Sequence, residues 1–248
     1  MVYRLPPEVG AVAVASFEMN IGQRFDWHRH PEHQLAWSER GVLAVTVGDR
    51  TWVLPSTRGL WIPSGMLHAT EASSPAMMRS SYFRARSCPL RWKVPTVVAV
   101  PPLLRELIRH LADGGVKRTS HVHAQRLLFE TLTPLASAAI LTPLPSDPRA
   151  RRVTDALTEN PADGRDLAAL GRRAGASART LSRLFVAETG MTFGQWRAQS
   201  RVRAALVHLA SGMAVSATAE RVGYESVSAF VAAFRRQTGV SPGSYFAE

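Results

Sequence analysis

Two histidines one residue apart, His28 and His30, carry the first chemistry this chain advertises. Side chains two positions apart on a strand project to the same face. The pair therefore offers two imidazoles to one point, and neutral imidazole is a ligand for zinc, copper, iron and nickel. The second group is arginine. Arg179 and Arg183 lie one helical turn apart in Ser177-Ala-Arg-Thr-Leu-Ser-Arg-Leu-Phe185, outside the stripe formed by Leu181, Leu184 and Phe185. Each guanidinium can take a guanine through O6 and N7, and Thr180 beside them can touch a thymine methyl or a phosphate. The competing role for a single exposed arginine is a solvated charge. The lone Cys88 excludes an internal disulfide and fits a reducing cytoplasm. His33, close behind Pro31, reads as a rim residue, and His110, His121, His123 and His208 read as surface or packing residues.

These side chains need two kinds of element to position them. From about Val9 to Tyr82 the chain reads as β-structure, with short β-branched runs such as Val42–Val47 and Thr51–Leu54 separated by turn pieces like Gly48-Asp49. Several short strands of this kind predict a barrel or sandwich. From Pro101 the period changes: Leu103, Leu104, Leu107, Ile108 and Leu111 form a helical stripe that stops at Gly114-Gly115. A second helix is expected from about Ser120 to Ile140, broken or kinked at Pro134. Residues 141–148 hold three prolines and read as a semi-rigid linker. Helices are expected to fill the rest to Phe246.

Within that helical region a single pattern occurs twice. Aligned on Gly175 and Gly223, each copy has an apolar residue eight positions upstream (Leu167, Val215) and a tiny one four upstream (Gly171, Ala219). The glycine supplies a turn with positive φ, and the tiny residue lets two helices approach. Downstream, Leu181/Leu184/Phe185 and Phe230/Ala233/Phe234 give each second helix one buried stripe, and the second copy has one extra residue in its turn. This is a tandem helix-turn-helix, a DNA-reading element used twice. The outward positions of the second reading helix are Val227, Ser228, Ala229, Val231 and Ala232, a face that can meet thymine methyls but cannot read guanine. Arg235 and Arg236 near its end suit phosphates.

Two resemblances add to this. Gly22 to Gly41 resembles the first motif of the cupin superfamily, G-x5-H-x-H-x3-E-x6-G, with Gln34 standing where that family has Glu. Pro63-Ser-Gly65-Met-Leu-His68 matches the core of the second cupin motif, although its leading glycine is displaced to Gly59 and its trailing Asn is replaced by Ala72. The resemblance implies that His68 joins His28 and His30 around a divalent ion such as zinc, with the Gln34 amide oxygen as a weak fourth ligand. A metal-free pocket for an organic effector and a purely architectural cluster are the alternatives, because Gln in place of Glu removes a negative charge. The tandem motif, over about residues 147–247, resembles the DNA-binding domain of the AraC/XylS regulators, whose signature runs through Ala219–Tyr245. The resemblance implies one long helix, Thr192–Leu209, joining the motifs, with Phe193, Trp196, Val202, Leu206 and Leu209 inward. It also implies reading helices in successive major grooves about 34 Å apart.

The net charge of +11 favours a polyanionic partner, and nearly all of it is arginine. From Ser146 onward there are 14 Arg against 9 acids, so less than half of the excess lies in the repeat region. No apolar run approaches a membrane span, and the first residues lack the core of a signal peptide, which makes the expected location cytoplasmic. The reading is a two-domain α+β protein. Residues 1–95 form a cupin-like β-barrel, 96–140 a helical dimerisation segment, 141–148 the linker, and 149–248 an all-α domain with two helix-turn-helix motifs. The dimer rests on the Leu103/Leu107/Leu111 stripe, for which packing onto the barrel is the competing role. Its expected partners are double-stranded promoter DNA, a small-molecule or metal effector and a second copy of the chain. Two other functions compete: a cupin-type dioxygenase or isomerase with a fused DNA-binding domain, and a generic DNA-compacting protein. The first suffers from the lack of a carboxylate in the metal motif.

Overall fold

The computed structural model describes residues 12–48, 50–113, 117–135 and 143–246. The chain divides into an N-terminal unit of strands with two helices and a C-terminal helical unit. No helix of the described residues is long and apolar enough to cross a membrane.

Among the described residues the strands of the N-terminal unit are β1 (Val12–Met19), β2 (Arg24–His28), β3 (Glu32–Arg40), β4 (Leu43–Val47), β5 (Arg50–Leu54), β6 (Arg58–Ile62), β7 (His68–Ala72), β8 (Ala76–Arg84) and β9 (Thr96–Ala99). One sheet has the order β1-β8-β3-β6-β9 and the other β2-β7-β4-β5. Every pairing described between these strands is antiparallel. Alternation along β3 and β8 divides their side chains between two environments. Leu35, Trp37 and Phe83 join Val12, Trp61 and Val98 in an apolar cluster. Gln34, Ser80 and Tyr82 belong to the opposite faces and lie with the histidines.

That apolar cluster is closed by two helices, α1 (Pro102–Ala112) and α2 (Arg118–Thr131), which contribute Leu104, Leu107, Ile108, Leu111, Ala124 and Leu128. The α1 stripe is therefore spent inside one chain. Leu107 and Leu111 are buried against the sheet and cannot form the dimer face expected of them, and only Leu103, 51% exposed, points away. The helical segment expected from residue 96 also begins as a strand, because Thr96–Ala99 extends the sheet beside β6. Helix α2 ends at Thr131 rather than running on, and Pro134 lies opposite Val98 in an extended bridge, where its missing N–H costs nothing. The Gly114-Gly115 stop, residues 136–140 of the expected second helix and the first two residues of the linker lie outside the described residues.

The helical unit comprises α3 (Pro148–Glu159), α4 (Leu167–Ala174), α5 (Ala178–Thr189), α6 (Phe193–Ala210), α7 (Val215–Arg221), α8 (Val227–Thr238) and α9 (Pro242–Phe246). Side-chain caps start five of them: Asp147, Asp166, Ser177, Thr192 and Ser226 each accept from a backbone N–H of the first turn. Thr192 and Gln195 complete a capping box, which is why the long helix starts where it does. Trp196, Val202 and Leu206 are buried as expected, whereas Phe193 and Leu209 are half-buried. The proline segment is not a free tether where it is described. The Trp196 indole donates to the Pro143 carbonyl, Glu188 accepts from the backbone N–H groups of Ser146 and Asp147, and Pro148 is already the first residue of α3.

Gly171 shows why the motif needs a tiny residue there. A Cβ at this position would collide with the Ala176 carbonyl oxygen and come within 3.2 Å of Leu181 Cδ1. The space it vacates holds the turn and the first contact of α5 with α4.

Candidate functional site

The histidine site draws on both sheets. His28 and His68 are register partners across β2 and β7, His30 follows in the crossing to β3, and Gln34 lies on β3. The imidazole centroids are 4.3 Å apart for His28 and His68, 5.1 Å for His30 and His68, and 6.0 Å for His28 and His30. His30, Gln34 and His68 are buried, and His28 is half-buried at the rim. The structure thus brings all four sequence-predicted ligands together, and one ligand nitrogen from each histidine lies within 4.8 Å of the other two.

Hydrogen bonding sets the chemistry of those nitrogens. Nδ1 of His28, His30 and His68 faces the carbonyl oxygens of Asp26 (2.6 Å), Glu32 (2.9 Å) and Met66 (2.9 Å). A carbonyl only accepts, so each Nδ1 carries a proton, and in the neutral imidazole it is Nε2 that keeps the lone pair. His68 Nε2 is buried without a partner among the described residues. Burial, helped by His28 and His30, pushes the His68 pKa down to about 4 against the Met66 hydrogen bond. Its imidazole is therefore neutral at ordinary pH. His30 Nε2 faces Gln34 Oε1 at 3.1 Å, while the Gln34 amide nitrogen donates to Ser80 Oγ at 2.5 Å. With the amide so oriented, a neutral His30 would set two acceptors face to face, an arrangement that either a cation between them or a turned amide would relieve.

Three contributors were not foreseen in the sequence. Ser80 orients the glutamine, and Tyr82 packs its ring edge-on to His30 at 5.2 Å. Glu32 is buried 3.8 Å from His30 Nδ1, on the side away from the converging lone pairs, where a carboxylate raises ligand basicity without ligating. Ser80 and Tyr82 carry no signal in sequence, since only strand pairing brings β8 beside β3. His33 accepts from the Ser64 backbone and stacks near Trp61, outside the cluster.

On α5, Leu181 and Phe185 are buried against Val153, Leu157, Leu170, Ala174 and Trp196. That packing turns Arg179, Ser182 and Arg183 outward, and Val186 (53% exposed) continues the same face. Thr180 is half-buried, and its hydroxyl is 3.0 Å from Ser177 Oγ at the cap. Some other arginines of this unit are engaged (Arg149 with Asp147, Arg151 with Asp155, Arg152 with the Ala174 carbonyl, Arg165 with Asp163), whereas Arg172, Arg173, Arg221, Arg235 and Arg236 are not among them. Arg179 and Arg183 make no hydrogen bond or ion pair among the described residues. An arginine pair left unpartnered on one helix face is poised for an external acceptor.

On α8, Phe230 and Phe234 are buried with Tyr224 and Tyr245 around them. Val227, Ser228, Ala229 and Ala232 are exposed, as are Arg235 and Arg236 in the last turn. A shallow depression is lined by Val227, Ser228, Val231, Ala232, Arg235 and Arg236.

Comparison with known proteins agrees with both halves. Residues 12–133 match the model of the AraC-like ligand binding domain, and residues 170–248 match that of a helix-turn-helix domain. The chain is 31% identical over 229 residues to the HTH-type transcriptional regulator NimR of Escherichia coli strain K12, covering 89% of this chain and 81% of NimR. It is also 31% identical over 218 residues to the HTH-type transcriptional regulator RipA of Corynebacterium glutamicum, covering 85% of this chain and 61% of RipA. Among solved structures, the DNA-binding domain of AdpA in complex with a target DNA is 38% identical over 40% of this chain and 90% of that one, with a TM-score of 0.38.

Proposed function

This chain belongs to the AraC family of helix-turn-helix transcriptional regulators, and from that premise we propose that it reads promoter DNA sequence-specifically and is switched by a divalent metal ion held at His28, His30, His68 and Gln34. Its relatives are transcriptional regulators, so the dioxygenase or isomerase alternative is set aside.

One observation carries the metal: three imidazoles whose Nδ1 atoms face backbone carbonyls each offer one ligand nitrogen, and these nitrogens lie within 4.8 Å of one another. Around zinc, ligand atoms at about 2.0–2.1 Å in a tetrahedron lie about 3.3 Å apart, close to the 3.1 Å between His30 Nε2 and Gln34 Oε1. A neutral amide in place of a carboxylate leaves the ion's charge uncompensated. Reversible binding follows, which suits a sensor better than a resident cofactor. A second reading, an organic effector in a metal-free barrel, is supported by the same glutamine. Turned over, its amide donates to His30 Nε2 and accepts from Ser80 Oγ, which satisfies both without an ion.

On the DNA side, Arg179 and Arg183 take guanines, with Ser182 and Thr180 beside them. Val227, Ser228, Ala229 and Ala232 meet the second groove, and Arg235 and Arg236 hold its phosphates. The regulator acts in the cytoplasm as a homodimer, through a face other than the buried stripe of α1.

Elemental analysis of the purified protein, with thermal unfolding in EDTA and in added Zn²⁺, tests the metal. Bound metal that disappears in both His30→Ala and His68→Ala, with a midpoint several degrees higher in Zn²⁺, is the expected result. No metal and no shift would leave the organic effector as the better reading.

A further inference from the structure

The two reading motifs are tied together by more than the helix between them. The loop from α3 to α4, residues 160–166, is held from α6 by two arginines. Arg201 donates from Nε to the Pro161 carbonyl at 3.0 Å and from Nη2 to the Asp163 carbonyl at 3.4 Å, and Arg197 donates to the Arg165 carbonyl. The turn of the second motif presses on the same loop. A Cβ on Gly223, whose φ is +81°, would lie 2.8 Å from Ala162 Cα and 2.8 Å from Arg201 Nη2. The next residue, Tyr224, presents its ring to the Arg201 guanidinium at 5.5 Å and packs 5.5 Å from Phe230 in the core of α8. One guanidinium thus bridges the loop that leads into the first motif and the aromatic pair that seats the second reading helix.

We infer that Arg201 is the positioning residue that sets the distance and angle between α5 and α8, so that the protein accepts its two half-sites at a single helical spacing. The inference rests on the proposed reading of DNA by those two helices. Without this bridge, the orientation of the second motif depends on its packing along α6 and on the short link 211–214. Adding one base pair between half-sites rotates the second by about 34° and moves it about 3.4 Å. A rigid pair of motifs meets that change only by deforming the DNA. A planar fork that bonds two carbonyls while stacking on a ring resists rotation in a way that an ammonium does not.

The test uses the full chain and an operator selected in vitro from random duplexes, then variants of it with the half-site separation changed by one or two base pairs, and one with the α8 half-site scrambled. Wild type should lose about ten-fold in affinity for each base pair of change. Arg201→Met should bind the best spacing only a few-fold more weakly, lose less than about three-fold per base pair, and bind the scrambled duplex as wild type does. Arg201→Lys should fall between them. A profile as sharp in Arg201→Met as in wild type overturns the inference. Should Arg201→Met lose the α5 half-site, and with it its fold, Tyr224→Leu takes its place: a flattened profile supports the inference and a sharp one overturns it. A wild type that selects no sequence at all fails the DNA reading itself, and the inference falls with it, whereas a selected operator indifferent to Arg201 fails the inference alone.

Discussion

Helices α5 and α8 correspond cap by cap. Ser177 and Ser226 start them, Phe185 and Phe234 are buried at matching positions, and Thr189 and Thr238 donate to those phenylalanine carbonyls. Gly190 and Gly239 end them with positive φ. In this frame the counterparts of Arg179 and Arg183 are Ser228 and Ala232. Counting from Gly175 and Gly223 instead would pair Arg179 with Val227, because the second turn holds one more residue. The caps and the apolar character of the buried stripe are thus kept (Leu181 and Phe230, Leu184 and Ala233, Phe185 and Phe234), while the outward half differs in chemistry. Core positions answer to packing, where a lost methylene is felt. Outward positions, in the proposed reading, answer only to the DNA they meet.

That contrast predicts a lopsided operator. The largest effect should come from Arg179→Ala or Arg183→Ala, each weakening binding to the operator by about 1–3 kcal/mol and relaxing preference at one base pair, with little change on random DNA. Titration of fluorescent duplexes would measure it, and equal losses on both DNAs would make these arginines phosphate contacts instead. Next comes the α8 half-site. Replacing thymine by uracil there removes only a methyl group, and each methyl in contact should cost about four-fold. The same exchange in the α5 half-site should cost less, and the reverse order would show the two helices to be assigned the wrong way round. Arg235→Ala should weaken operator and random DNA about equally and reduce the salt slope by about one. Ser228→Ala should do least. If it abolishes sequence preference while both α5 variants keep theirs, the comparison between the helices is broken.

The features of this chain that could be read in advance are those whose signal is local. The spacing of Gly171 and Gly175 acts through neighbours in sequence and appears in the structure as expected, whereas His28 and His30 come together although His30 lies beyond the end of β2 and not on the shared strand that their spacing predicts. His68 needed the cupin resemblance to be linked with them, because its register with His28 arises from pairing between distant strands. Ser80 and Tyr82 were invisible for the same reason. The α1 stripe failed differently. Packing on the chain's own sheet and packing on a second copy demand the same helical period, so periodicity could not separate them. Thr96–Ala99 reads from sequence as part of the helical segment, because a four-residue run carries too little alternation to be told from its surroundings.

The face of α8 has one more consequence, and it concerns the chemical state of the DNA. Val227, Ala229 and Ala232 offer no group that can distinguish the bases carrying a methyl, only a surface on which that methyl can rest. 5-Methylcytosine presents its methyl in the major groove from the same ring position as thymine. A reader built this way takes the two alike at that contact. Unmodified cytosine would be refused where its methylated form is accepted, which makes cytosine methylation a variable to control whenever sites for this protein are mapped on genomic DNA.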